Sequence, residues 1–108
     1  MIIVIGSFRM SPDKLAAARP VLVDLIARSR AEDGCNSYAL SEDLCEPGLI
    51  RIAESWRDKA ALAAHAKSPH FEQWRAMGDD FGVHDRDLGI HKIADARSAS
   101  IASGDAAC

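Results

Sequence analysis

Two periodicities of apolar residues divide this chain. Ile50, Ile52, Glu54 and Trp56 recur at every second position, which sets them on one face of a β-strand. Leu15, Ala18, Leu22, Leu25 and Ile26 recur at helical spacing, and Ser11-Pro12-Asp13 ahead of them supplies a cap, a proline and a first-turn acid. One amphipathic helix running to Gly34 is expected. It should bend at Pro20 or begin later, because an interior proline removes a backbone hydrogen bond and costs about 3 kcal/mol. Met1 to Phe8 is apolar at consecutive positions, the pattern of a strand covered on both faces. Cys35 to Glu42 reads as a second strand with Tyr38 and Leu40 on one face, and Glu46-Pro47-Gly48 turns the chain into the strand of Glu54. Asp58 then caps a helix over Ala60 to Ala66, and Ser68-Pro69 starts another that ends near Asp80. A last strand is expected around Leu88 to Ala94. His84, Asp85, Asp87 and His91 match no closed zinc or calcium spacing, and Arg86 among them opposes a cation, so these side chains read as a solvated loop.

The order strand, helix, strand, strand, helix pair, strand implies an α+β fold. Its form is a ferredoxin-like split βαβ with one antiparallel sheet and helices on one face. Because the strands look apolar on both sides, the open sheet face is expected to close on a second copy, giving a homodimeric α/β barrel. The domain is expected to span residues 1–97. Ser98 to Cys108, reading SASIASGDAAC, is small and polar and is read as a flexible tail.

Composition narrows the function classes. The 108 residues are enough for one domain that buries roughly 65% of its unfolded surface. Lys and Arg number 13 against 16 Asp and Glu, a net charge of -3 that disfavours a nucleic-acid footprint. Nothing approaches the roughly 20 apolar residues of a membrane span. The start, MIIVIGSF, has no basic region before its apolar run and does not read as a signal peptide. Cys35, Cys45 and Cys108 are odd in number and form no CxxC pair, which suits reduced thiols in the cytoplasm.

A strand bearing Glu54 and Trp56, a helical turn bearing His65 and an aromatic helix bearing Trp74 can together wall a small apolar cavity. Each residue also has a plain reading. Trp56 and Trp74 suit any core, His70 reads as structural or rim-exposed, and Cys35 as a small core residue. Glu54, between apolar neighbours, needs a partner such as Arg, Tyr or a backbone donor to be tolerated there.

Three pieces of sequence carry a resemblance. Gly34-Cys35 with Tyr38 three further on, Glu54-x-Trp56, and Ala61-Leu62-x-x-His65-x-x-Ser68-x-His70-Phe71 resemble the antibiotic biosynthesis monooxygenase family, over most of residues 1–97. The resemblance implies a small dimeric α+β barrel and oxidation of an aromatic or quinol-like substrate by dioxygen, without metal, flavin or other cofactor. A deprotonated phenol or quinol is electron-rich enough to reduce dioxygen itself, so the protein has to bind, deprotonate and confine it. In that picture His65 is the expected base, since histidine titrates near pH 6.5, and Tyr38 is the phenolic donor. Trp56, Phe71, Trp74 and Phe81 are the expected walls, with Glu54 beside them. Haem-degrading relatives rely on a first-strand Asn, a helical Trp and a later His, where this chain has Gly6 or Ser7, His65 and Arg75. Two further alternatives use the same scaffold: a non-catalytic ligand-binding or stress-response dimer, and a small-molecule isomerase.

Overall fold

The computed structural model describes residues 1–94, and the segment read as a tail lies outside the described residues. Its elements are β1 (Ile2–Arg9), α1 (Leu15–Arg30), β2 (Cys35–Glu42), β3 (Leu49–Trp56), α2 (Lys59–Ala66), α3 (Pro69–Met77) and β4 (His84–Lys92). The strands form one sheet in the order β2-β3-β1-β4, with every neighbouring pair antiparallel. This is the ferredoxin-like α+β arrangement expected from the element order: each helical crossover passes over one strand, β3 between β1 and β2 and β1 between β3 and β4. No described helix is long and apolar enough to cross a membrane.

Alternation along the two central strands sorts the sheet into two faces. Ile2, Val4 and Phe8 of β1, with Ile50, Glu54 and Trp56 of β3, are buried under the helices, whereas Ile5 on the other face is 52% exposed. The open face is less apolar than expected. β1 gives it Ile3 and Ile5, but β2 and β3 give it Ser37, Ala39, Ser41, Arg51, Ala53 and Ser55, with Leu49 as their one large apolar residue there. Apolarity on both sides is thus a property of β1 and not of the whole sheet.

Helix α1 begins at Leu15, after a single 3-10 turn over Pro12–Lys14, and runs through Pro20. Pro20 and Ala16, whose carbonyl loses the amide partner that position 20 lacks, both face solvent, where water can replace it. The buried stripe of Ala18, Leu22 and Leu25 is the one its spacing predicts. The Asp58 carboxylate caps α2 by accepting from the Ala61 N–H at 2.9 Å. The Ser68 hydroxyl accepts from the Phe71 N–H at 3.3 Å and donates to the His65 carbonyl at 2.6 Å. One side chain thereby ends α2 and starts α3, fixing how the turns bearing His65 and Trp74 meet.

Strand β4 starts at His84, well before Leu88, so His84, Asp85, Asp87 and His91 lie on an edge strand and not in a loop. Backbone pairing with β1 creates this strand, and Gly6 permits it: a Cβ there would collide with the Asp87 carbonyl and the Leu88 side chain. An edge strand exposed along almost its whole length imposes little burial pattern on its sequence, and its charged residues suit an unpaired edge.

Candidate active site

A cavity of about 180 Å³ lies between the helix face of the sheet and helices α1 and α3. Its walls are apolar and aromatic: Phe8, Leu25, Leu40, Ile52, Phe71, Trp74, Val83 and Leu88. Exposure orders the polar groups along it. Tyr38 and Glu54, at 4% and 9% exposed, mark the inner end, while the exposed Arg75 and Arg86 mark the mouth. The cavity thus combines a buried carboxyl and phenol, aromatic rings and two exposed guanidinium groups in one lining.

Tyr38 and Glu54 are direct cross-strand partners on β2 and β3, which places their side chains side by side. The Trp56 indole N–H donates to Glu54 Oε1 at 2.9 Å, supplying the partner that a carboxyl on this face requires. Burial raises the Glu54 pKa above the usual carboxylate range, and the Trp56 hydrogen bond and nearby His65 pull it back only in part. Burial, with Glu54 alongside, also pushes the Tyr38 phenol well above its ordinary value. Tyr38 thus stays a hydrogen-bond donor at any working pH, and Glu54 is the cavity group suited to exchange a proton.

His65 does not line the cavity. It is 2% exposed, with its ring 4.7 Å from Trp56, 5.3 Å from Tyr38 and 5.0 Å from Phe71, behind the residues that form the wall. Its Nδ1 donates to Glu32 Oε2 at 2.6 Å, and the same oxygen accepts from His70 Nε2 at 3.0 Å. The donor direction follows because an ionised carboxylate can only accept. His65 Nε2 is buried with no partner among the described residues.

Of the residues expected at the site, the structure brings Tyr38, Glu54, Phe71 and Trp74 to the cavity. Trp56 stands behind it, holding Glu54. Phe81 stacks on Trp74 at 6.1 Å without lining the cavity, so it supports the wall. The side chains of His84, Asp85, Asp87 and His91 belong to an exposed strand, whose alternation sends neighbouring residues to opposite faces. Sequence reasoning missed Arg75, Arg86 and Glu32. Arg75 lies four residues after Phe71 on α3 and so on the same helix face, a hint available from helical geometry, whereas Glu32 meets residues 33 and 38 positions away and leaves no local signal.

Comparison with known proteins places these features in a family. A family model described as antibiotic biosynthesis monooxygenase matches residues 1–77. The uncharacterized protein sll1783 of Synechocystis sp. is 32% identical over 97 residues, covering 90% of this chain and 66% of that protein. Rv0793 of Mycobacterium tuberculosis, named a "putative monooxygenase", is 40% identical over 74 residues, covering 68% of this chain and 72% of its own length. The solved structure of Rv0793 matches with a TM-score of 0.78 at 33% identity, covering 90% of this chain and 98% of that one. A solved structure from Deinococcus radiodurans matches with a TM-score of 0.83 at 30% identity, covering 93% of this chain and 99% of that one.

Proposed function

The chain belongs to the antibiotic biosynthesis monooxygenase family, and on that premise we propose that its cavity oxidises a small aromatic or quinol-like molecule with dioxygen, with no metal or flavin at the reacting centre. The observation that carries this reading is a buried carboxyl of raised pKa, beside a buried phenol, at the inner end of an aromatic-walled cavity. In this reading a substrate ring lies against Phe71 and Trp74, neighbours on one face of α3, with its hydroxyl toward Glu54. The ionised carboxylate takes the hydroxyl proton, and its raised pKa brings it closer to that of a phenol, which eases the transfer. Tyr38 donates to the oxyanion that forms. The electron-rich anion then reduces dioxygen directly. For a quinol, the substrate loses two hydrogens, one oxygen atom enters the ring and the other leaves as water, so atoms and electrons balance.

His65, the base expected from the sequence, stands in this reading behind the wall, where its ring packs against Tyr38, Trp56 and Phe71. Arg75 and Arg86 at the mouth favour substrates whose outer edge carries a carbonyl or an anionic substituent. A second copy covers the open sheet face around Ile3 and Ile5, making the working unit a homodimer. An oxygen electrode tests the chemistry: a panel of quinols and hydroxylated polycyclic aromatics should include one that drives dioxygen uptake by metal-stripped protein. Saturable binding across the panel with no uptake would favour the ligand-binding or isomerase alternatives. Sedimentation at micromolar concentration tests the dimer, and a stable folded monomer there would remove it.

A further inference from the structure

Glu32, His65 and His70 come from three separate pieces of chain: the turn after α1, helix α2 and helix α3. Each offers one ligand atom, and these three atoms all lie within 4.8 Å of one another. Their side chains are 16%, 3% and 12% exposed, so the cluster is sheltered without being sealed. We propose that it is a binding site for a divalent transition metal such as Zn²⁺. The inference is independent of the proposed oxidation, because none of the three residues lines the cavity.

Donor chemistry supports the assignment, since two imidazoles and a carboxylate suit Zn²⁺, Co²⁺ or Ni²⁺, and three protein ligands leave a fourth position for water. Geometry supports it too. Tetrahedral ligands at about 2.0 to 2.2 Å from an ion sit roughly 3.3 Å from one another. The two nitrogen to oxygen separations of 2.6 and 3.0 Å therefore have to open only slightly. The carboxylate that can move is on a turn, while the two histidines sit on helices locked together by Ser68.

Tautomer chemistry removes the remaining obstacle. Both ring nitrogens that face Glu32 now carry hydrogens, and these must shift to the far nitrogens when an ion arrives. For His65 the far nitrogen, Nε2, has no partner among the described residues, so no other hydrogen bond pins the present tautomer. A surface groove lined by Glu32, Asp33, Arg57 and Ala64 borders the cluster on the Glu32 side. Once bound, the ion would clasp the turn after α1 to both short helices behind Tyr38 and Phe71 of the cavity wall.

The test is titration of metal-stripped full-length protein with Zn²⁺ by calorimetry, with Co²⁺ absorption reporting coordination geometry. About one ion per chain should bind, Co²⁺ should give the intense visible bands of a tetrahedral site, and Zn²⁺ should raise the melting temperature. Glu32→Gln and His70→Ala should each weaken binding by at least about tenfold and abolish the thermal shift. The surface variant His84→Ala should leave both unchanged. Absence of saturable Zn²⁺ binding at neutral pH, or binding that survives in both Glu32→Gln and His70→Ala, would overturn the site and leave a hydrogen-bonded clasp only.

Discussion

Two carboxylates on opposite sides of one aromatic wall have opposite surroundings. Glu54 faces the cavity with one oxygen held by the Trp56 indole, and among the described residues no second hydrogen bond ties the carboxyl down. Glu32 lies behind the wall and spends one oxygen on two imidazoles, at 2.6 and 3.0 Å. A group left with spare acceptor capacity in a ligand-sized space is placed for chemistry, whereas a group engaged from both sides is placed for architecture. In the proposed reading the pair separates activity from stability within one small fold, and variants on the two sides should respond in opposite ways.

The largest expected effect is on the cavity side. Glu54→Gln should lower turnover by about 10²- to 10⁴-fold with little change in substrate binding, the usual worth of a general base. Its melting temperature at neutral pH should be no lower than that of the parent, because a neutral amide replaces a carboxyl that burial already disfavours as an anion. Steady-state kinetics with thermal melting checks both halves.

The pH dependence of the parent sharpens the same point. Below its ordinary value of 4.5 the Glu54 carboxyl is protonated whether folded or not, and it contributes no pH dependence. As pH rises from there toward the raised folded value, the unfolded chain releases its proton first, so this group makes the fold less stable across that window and constant above it. Turnover should move the other way, rising as Glu54 ionises in the cavity. Melting curves and rates measured from pH 4 upward should show these opposed trends, and Glu54→Gln should remove this carboxyl's part in both.

On the other side of the wall the balance reverses. Glu32→Gln should cost about 1 to 3 kcal/mol in denaturant unfolding, since a neutral amide oxygen accepts from the two imidazoles more weakly than the charged carboxylate oxygen does, and its NH₂ is left without a partner among these two donors. Turnover of the folded fraction should stay within a few-fold. Equal losses of turnover in Glu32→Gln and Glu54→Gln would erase the distinction between the two sides. The smallest effect is expected at Trp74, where replacement by Leu keeps most of the apolar volume but loses the ring. The apparent substrate constant should rise about 2- to 10-fold, the worth of one aromatic contact, while the limiting rate holds.

Legibility in the sequence followed physical cause. The stripe of α1 and the alternation of β3 were readable because burial on one side forces a period, and the caps at Asp58 and Ser68 were readable because a helix start needs a short acceptor side chain. Strand β4 was misjudged at its start because an exposed edge strand is held by backbone pairing, which leaves little trace in side-chain types. At the site, Tyr38, Glu54, Phe71 and Trp74 were found through pattern and family resemblance. His65 was read at the cavity because sequence places it near the strand but cannot say on which side of Trp56 its ring lies. Glu32 gave no signal, since what identifies it is a meeting of a turn with two helices far along the chain.

The most direct test of the central claim is transfer of label from ¹⁸O₂ into product, followed by mass spectrometry, for the parent and Glu54→Gln with a quinol that drives oxygen uptake. The account predicts one labelled oxygen per product molecule in the parent and near-complete loss of labelled product in the variant. Unlabelled product, or labelling in Glu54→Gln at the parent's rate, would contradict it.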